Sequence, residues 1–275
     1  MRPTATVVVV YFILIVGMMM LENSLIFLPS RHPEGFWSPD GLAVENATFH
    51  SADGTRLHGW YVHHENPQAV ILFSHGNAGN LSHRAAIIER LNRQLRASVL
   101  IFDYRGYGKS EGSPTEQGIV ADARAARHWL AERAGVEERE IVLLGRSLGA
   151  GVAVDLAARD GARALVLQNA FPSLPDVAAE HYWWLPVRLL MRNRLDSLSI
   201  IDQYHGPLLQ SHGTADRVVP YALGRKLFEA ANEPKQFIDL PGLGHNDIHP
   251  DSYYRALDDY LSGLPDRADE PGDAG

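Results

Sequence analysis

The chain has 275 residues, 45% hydrophobic and 21% charged, enough for a large packed core and ordinary for a globular protein. A formal net charge of -8 and the lack of any lysine- or arginine-rich run exclude a general nucleic-acid-binding surface. With no cysteine, disulfide staples, zinc-thiolate sites and cysteine nucleophiles are excluded too.

From Ala5 to Leu21 no residue is charged. A membrane-spanning helix needs roughly 20 apolar residues, with a lower limit of about 17. The run sits at that limit, and Leu25–Leu28 extends it past Glu22 and Asn23. A cleavable signal peptide is the competing reading, but its apolar region is about 7–15 residues long and ends in a small-residue cleavage site. No such site follows here. A buried core element is the third reading. Residues 1–28 are therefore expected to be an N-terminal membrane anchor. Arg2 and the free amine precede the run, which favours a single-pass protein with the remaining chain outside the cytoplasm.

Residues 29–40 are rich in proline, glycine and polar side chains and are expected to be a linker. Two strands follow, AVENATF and RLHGWYV, joined by a turn containing Asp53 and Gly54. The apolar run AVILFSH predicts a strand covered on both faces. Leu81–Arg96 has helical spacing, with Ile87, Ile88, Leu91 and Leu95 on one face. Alternation then continues through strand ASVLIFDY, helix Glu116–Arg133, strand EIVLLG, a helix from Leu148, and strand ALVLQNA. Residues 171–205 break the rhythm with an aromatic, leucine-rich segment, expected to be a small cap-like helical insert. Strand GPLLQSHG, helix Ala222–Ala231, strand KQFIDLPG and helix Ser252–Leu261 complete the pattern. The tail, 265–275, has the composition of a disordered segment.

Strands alternating with helices predict an α/β domain over 41–264, with a mostly parallel sheet, helices on both faces and an antiparallel edge. Ligands of such sheets bind beyond the carboxyl ends of the strands. The loops directly after strands are therefore where chemistry is sought.

Gly145-Arg146-Ser147-Leu148-Gly149 fits G-x-S-x-G between a strand and a helix. A strand turning directly into a helix forces the corner residue into a strained conformation, and side chains two positions either side would collide. The turn lifts the Ser147 hydroxyl clear of the sheet, and the helix start offers free N–H groups to a developing anion. A serine hydroxyl needs a base, and the base needs an orienting acid. In this arrangement the chain order is serine, acid, histidine. Asp216 and His245 each follow a late strand in that order. After the third strand comes His75-Gly76-Asn77-Ala78-Gly79. There the backbone N–H of Asn77 is expected to pair with that of Leu148 as an oxyanion hole.

Together HGNAGN, DYRGYGKSEG, GRSLGAG, HGTADRVVP and GLGHND resemble the α/β-hydrolase superfamily, most nearly its membrane-anchored Bem46-like branch, from about residue 40 to residue 262. The resemblance implies an eight-stranded α/β-hydrolase fold with the insert over the site. It also implies a triad at Ser147, Asp216 and His245, and no cofactor. The loop Asp103–Gly108 resembles the family's loop after the fourth strand, implying support for the nucleophile turn. Members include carboxylesterases and thioesterases, so a small or lipophilic acyl substrate is expected. A peptidase or amidase of the same fold, or a non-catalytic membrane-anchored scaffold, are the alternatives.

Other signals carry less. GYGKS lacks the first glycine of a phosphate-binding loop, since position 103 is Asp103. His245 and His249 are four apart but on a loop, so no metal pair is expected. Asp239 and Asp247 are poorer orienting acids, one inside a strand and one too close after the histidine. Asn46 and Asn80 begin glycosylation sequons of the kind that arise by chance. Tyr182, Trp183 and Trp184 either line an acyl pocket or pack the insert onto the core.

Overall fold

Strands covered on both faces must be apolar on both sides. The central runs Ala69–Ser74 and Ala97–Asp103 are buried at every position. The computed structural model describes residues 3–265. Its strands are β1 (Glu45–His50), β2 (Arg56–Val62), β3 (Ala69–Ser74), β4 (Ala97–Asp103), β5 (Val142–Arg146), β6 (Ala164–Gln168), β7 (Leu208–Gly213) and β8 (Lys235–Leu240). They form one sheet in the order β1-β2-β4-β3-β5-β6-β7-β8. β1 pairs antiparallel with β2 and β2 antiparallel with β4, and every later pairing is parallel. This is the expected α/β-hydrolase fold. The order reverses around β3, so the loops after β3 and β5 meet at a switch point, where such sheets bind ligands.

The helices are α1 (Pro3–Met20), α2 (Glu22–Ile26), α3 (Ala85–Arg93), α4 (Glu116–Ala134), α5 (Leu148–Asp160), α6 (Leu174–His181), α7 (Val187–Leu190), α8 (Tyr221–Ala230) and α9 (Asp251–Ser262). One face of the sheet packs on α4, α5 and α8 through Ile119, Leu156 and Leu227. The other packs on α3 and α9 through Ile88, Leu91 and Leu257. The helix expected over 81–96 opens with a tight 3-10 turn, Leu81–Arg84, and its α-helix ends at Arg93. Asn80 causes the tight start: its side chain accepts the Ser82 N–H. α6, α7 and two short 3-10 turns build the segment 171–205. It leans on the loop after β7, where His181 Nε2 lies 2.9 Å from the Val218 carbonyl. Trp183 and Trp184 are 83% and 46% exposed, so neither packs the insert onto the core.

The N-terminal expectation needs correcting. Among the described residues no helix is long and apolar enough to cross a membrane, so a single-pass anchor is unsupported. The 18 residues of α1 reach about 27 Å at 1.5 Å per residue, short of the roughly 30 Å hydrocarbon core. The segment is instead tied to the domain. Glu22 is buried and takes hydrogen bonds from Arg192 and Asn193 of the insert. Phe27 is buried in the core. Within the expected linker, Pro29 bridges to Gly79 and Arg31 to Gly108. The expected tail lies outside the described residues from 266 onward.

Candidate active site

Ser147 stands between β5 and α5 with φ 51° and ψ -117°, a conformation that L-residues rarely adopt. The crossing is tight enough to demand glycine on both sides. A Cβ at Gly145 would lie 2.3 Å from the Gly149 carbonyl oxygen, and one at Gly149 would lie 1.9 Å from that of Ser74. The Ser147 N–H donates to Gln168 at 2.9 Å, fixing the corner to β6. Strain at one residue is therefore held by contacts that over-determine it.

The other two expected side chains converge on this hydroxyl. His245 Nε2 is 2.8 Å from Ser147 Oγ, and His245 Nδ1 is 2.7 Å from Asp216 Oδ2. The Asp216 side chain is fully buried. Burial pushes its carboxyl up, but hydrogen bonds from the His212 and His245 rings, the His245 charge and the Val219 N–H outweigh this. The net result holds it well below the usual carboxylate range. Oδ1 accepts the Val218 and Val219 N–H groups, both at 2.8 Å. An ionised carboxylate only accepts, so His245 Nδ1 carries the proton, and in the neutral ring Nε2 is then the acceptor facing Ser147. The geometry thus presents a bare imidazole nitrogen to a hydroxyl.

The loop after β3 lies against the nucleophile turn. A Cβ on Gly76 would come 3.5 Å from Ser147 Cβ and 3.3 Å from the Arg146 carbonyl oxygen. Asn77 follows, its side chain directed to the N-terminal segment. Its Oδ1 accepts the Leu28 N–H at 3.1 Å and the Tyr107 hydroxyl at 2.8 Å, and its Nδ2 donates to the Ile26 carbonyl. Leu148 is the first residue of α5. The loop after β4 braces the same region: Tyr104 donates to the His75 carbonyl at 2.9 Å, and Asp103 accepts the Leu81 N–H at 2.8 Å.

Sequence reasoning missed the parts played by Arg146, Asn169 and His212. The His245 carbonyl accepts from Arg146 Nη2 and from Asn169 Nδ2, each at 2.9 Å. Asn169 follows β6 with φ 50°, and its Oδ1 accepts the Gly213 N–H, so it joins the histidine loop to the end of β7. His212, buried on β7, donates from Nε2 to the Val219 carbonyl at 2.9 Å and lies 3.4 Å from Asp216 Oδ2. The Gly244 N–H donates to Asp247 Oδ2 at 2.7 Å, so Asp247 shapes the loop and does not face the imidazole. Arg146, the variable residue of G-x-S-x-G, was the one findable signal: a cation next to the nucleophile must pair somewhere nearby. Asp239 is bonded to the Tyr221 hydroxyl, away from His245.

Comparison with known proteins adds a family to this geometry. A family described as the alpha/beta hydrolase fold matches residues 69–199. The chain is similar to an uncharacterized Mycobacterium tuberculosis protein, 43% identical over 228 residues that cover 82% of this chain and 81% of the relative. It is similar to the alpha/beta hydrolase domain-containing protein WAV2 of Arabidopsis thaliana, 33% identical over 226 residues, covering 75% and 73%. Among solved structures, a Pyrococcus furiosus esterase matches with TM-score 0.72 at 19% identity, covering 87% of this chain and 97% of the esterase.

Proposed function

The chain belongs to the alpha/beta hydrolase superfamily, and on that premise we propose that it is a serine hydrolase cleaving carboxylic ester or thioester acyl bonds. One observation carries the reading: the unbroken hydrogen-bonded line from Ser147 through His245 to Asp216, at 2.8 and 2.7 Å.

Ser147 Oγ attacks the acyl carbon while His245 Nε2 takes its proton. Asp216 holds the Nδ1–H tautomer and stabilises the imidazolium that forms. The backbone N–H groups of Asn77 and Leu148 receive the oxyanion. The intermediate collapses, the Oγ–acyl bond remains, and the alcohol or thiol leaves with the Nε2 proton. Water, deprotonated by His245, attacks the acyl-enzyme and releases the acid, returning the proton to Ser147. No step calls for a cofactor. The close approach of Gly76 to the Ser147 turn supports the oxyanion assignment, because Asn77 is the next residue of that loop.

The quoted motifs also favour the Bem46-like branch, with 41–264 as the hydrolase domain and 171–205 as its cap. A fluorophosphonate probe tests the nucleophile. Adduct mass mapping to Ser147, absent in Ser147→Ala, is the expected result. Folded protein that never reacts, or reacts elsewhere, defeats the reading.

A further inference from the structure

The loop that carries Asn77 is strained, and it is tied down by the N-terminal segment. Ala78 and Gly79 sit at φ 64° and 70°, and the left-handed region is unfavourable for alanine. A residue held there persists only where its surroundings over-determine it. The ties come from residues 26–30, which precede the stretch matched by the family. The Leu28 N–H donates to Asn77 Oδ1 at 3.1 Å, and Asn77 Nδ2 donates to the Ile26 carbonyl. The Ser30 N–H donates to the Gly79 carbonyl at 3.0 Å, and Asn80 Nδ2 donates to the Ser30 carbonyl at 3.2 Å.

An amide side chain is what these bonds require. Besides the Leu28 N–H, Asn77 Oδ1 accepts the Tyr107 hydroxyl at 2.8 Å and the Ala78 N–H at 2.9 Å, while Nδ2 donates. A carboxylate could only accept and would leave the Ile26 carbonyl without its donor. The main chain on the other side is held as well. His75 Nδ1 donates to the Gly76 carbonyl at 2.7 Å, and that carbonyl belongs to the same planar peptide as the Asn77 N–H. His75 thus grips one end of the peptide and the N-terminal segment grips the residue at the other. Among the described residues the Asn77 N–H has no hydrogen-bond partner of its own, so an anchored donor is left open to a ligand.

We propose that residues 26–30 are a positioning strap for the oxyanion hole: by gripping the Asn77 side chain they hold its backbone N–H toward the oxygen of the tetrahedral intermediate. The inference rests on the Asn77 N–H being an oxyanion donor. The strap makes no selection among acyl groups. Its effect falls on a charge that forms only on the way to the intermediate, so its loss lowers kcat and spares KM. The strap continues from α2, whose Glu22 is held by Arg192 and Asn193 of the insert, so turnover depends on the N-terminal helices staying docked.

Leu28→Pro deletes the strap's N–H with little other change. Leu28 is 53% exposed, and Phe27, at φ -91° and ψ 123°, already has the backbone that a residue before proline adopts. On the full-length protein, Leu28→Pro and Asn77→Ala should each lower kcat by about ten- to a hundredfold on both p-nitrophenyl acetate and octanoate, with KM within about threefold. Leu28→Ala keeps the N–H and should turn over at least about fivefold faster than Leu28→Pro. A trifluoromethyl ketone forms an adduct with Ser147 that carries the same oxyanion. Its inhibition constant should rise by the factor by which kcat/KM falls. Asn77→Pro removes the donor itself and should cost about 10²–10³ in kcat. Circular dichroism must show the wild-type fold in each variant compared. If folded Leu28→Pro and Asn77→Ala keep kcat within about threefold of wild type, or raise KM alone, while Asn77→Pro is nearly inactive, the strap does not position the donor. If Asn77→Pro keeps the wild-type kcat, the Asn77 N–H is not in the oxyanion hole and the underlying reading falls instead.

Discussion

Ser147 has little conformational freedom. Its backbone is strained, and both neighbouring glycines sit where a methyl group would strike main chain. Gly149→Ala should destabilise the protein by roughly 1–3 kcal/mol, the usual cost of overpacking, as a lower urea midpoint at unchanged slope. Asp216→Asn keeps the shape of the carboxylate but removes its preference for the Nδ1–H tautomer. It should lower kcat on a soluble ester by about three to four orders of magnitude while leaving the melting temperature within a few degrees. A kcat within tenfold of wild type would show that Asp216 does not orient the base. The positions of Ser147, Asp216 and His245 were legible because each stands just past a strand, beside glycines that a sharp turn requires. Asn169 was not legible, since its work depends on the His245 carbonyl, 76 positions away.

Among the elements, the histidine loop between β8 and α9 is held to its neighbours at a few points. Arg146 and Asn169 hold the His245 carbonyl, Ala215 holds the Leu243 carbonyl, and Thr214 accepts the Gly242 N–H. Arg146→Ala should lower kcat by about ten- to a hundredfold through misplacement of the imidazole, with a much smaller change in KM. Stopped assays across a substrate range would separate the two parameters. Strands and helices were readable from pattern alone, because fully covered strands leave continuous apolar runs and surface helices leave a 3.6-residue stripe. The N-terminal segment misled for the same reason. An uncharged run does not record its partners: much of α1 stays exposed, as at Phe12 and Met20, while Glu22, which seemed to end the run, is a buried acceptor for Arg192 and Asn193, some 170 positions on. No local pattern records such a distant partner.

At the scale of the whole molecule, buried imidazoles contribute to the response to acid. His249 packs against the Tyr253 ring at 4.4 Å between centroids, and burial, then the Arg146 charge, push its pKa down to about 3. Burial likewise pushes His58 down to about 4. An unfolded histidine titrates near 6.5. Above that pH neither state takes the proton and stability is complete. Between about 6.5 and about 3 to 4 the unfolded chain binds protons that the native state refuses, so stability falls as pH falls. Scanning calorimetry should show a melting temperature that declines steadily below pH 6.5. His249→Gln should flatten that decline; an unchanged slope would mean that His249 does not govern it.

Ser147 is fixed in the middle of an eight-stranded sheet, while His245 sits on a loop beyond its last strand, tied down by a handful of hydrogen bonds. Warming should therefore silence the enzyme before it melts. On a thermal ramp, ester turnover should collapse several degrees below the loss of far-ultraviolet dichroism, and cooling from that interval should bring turnover back.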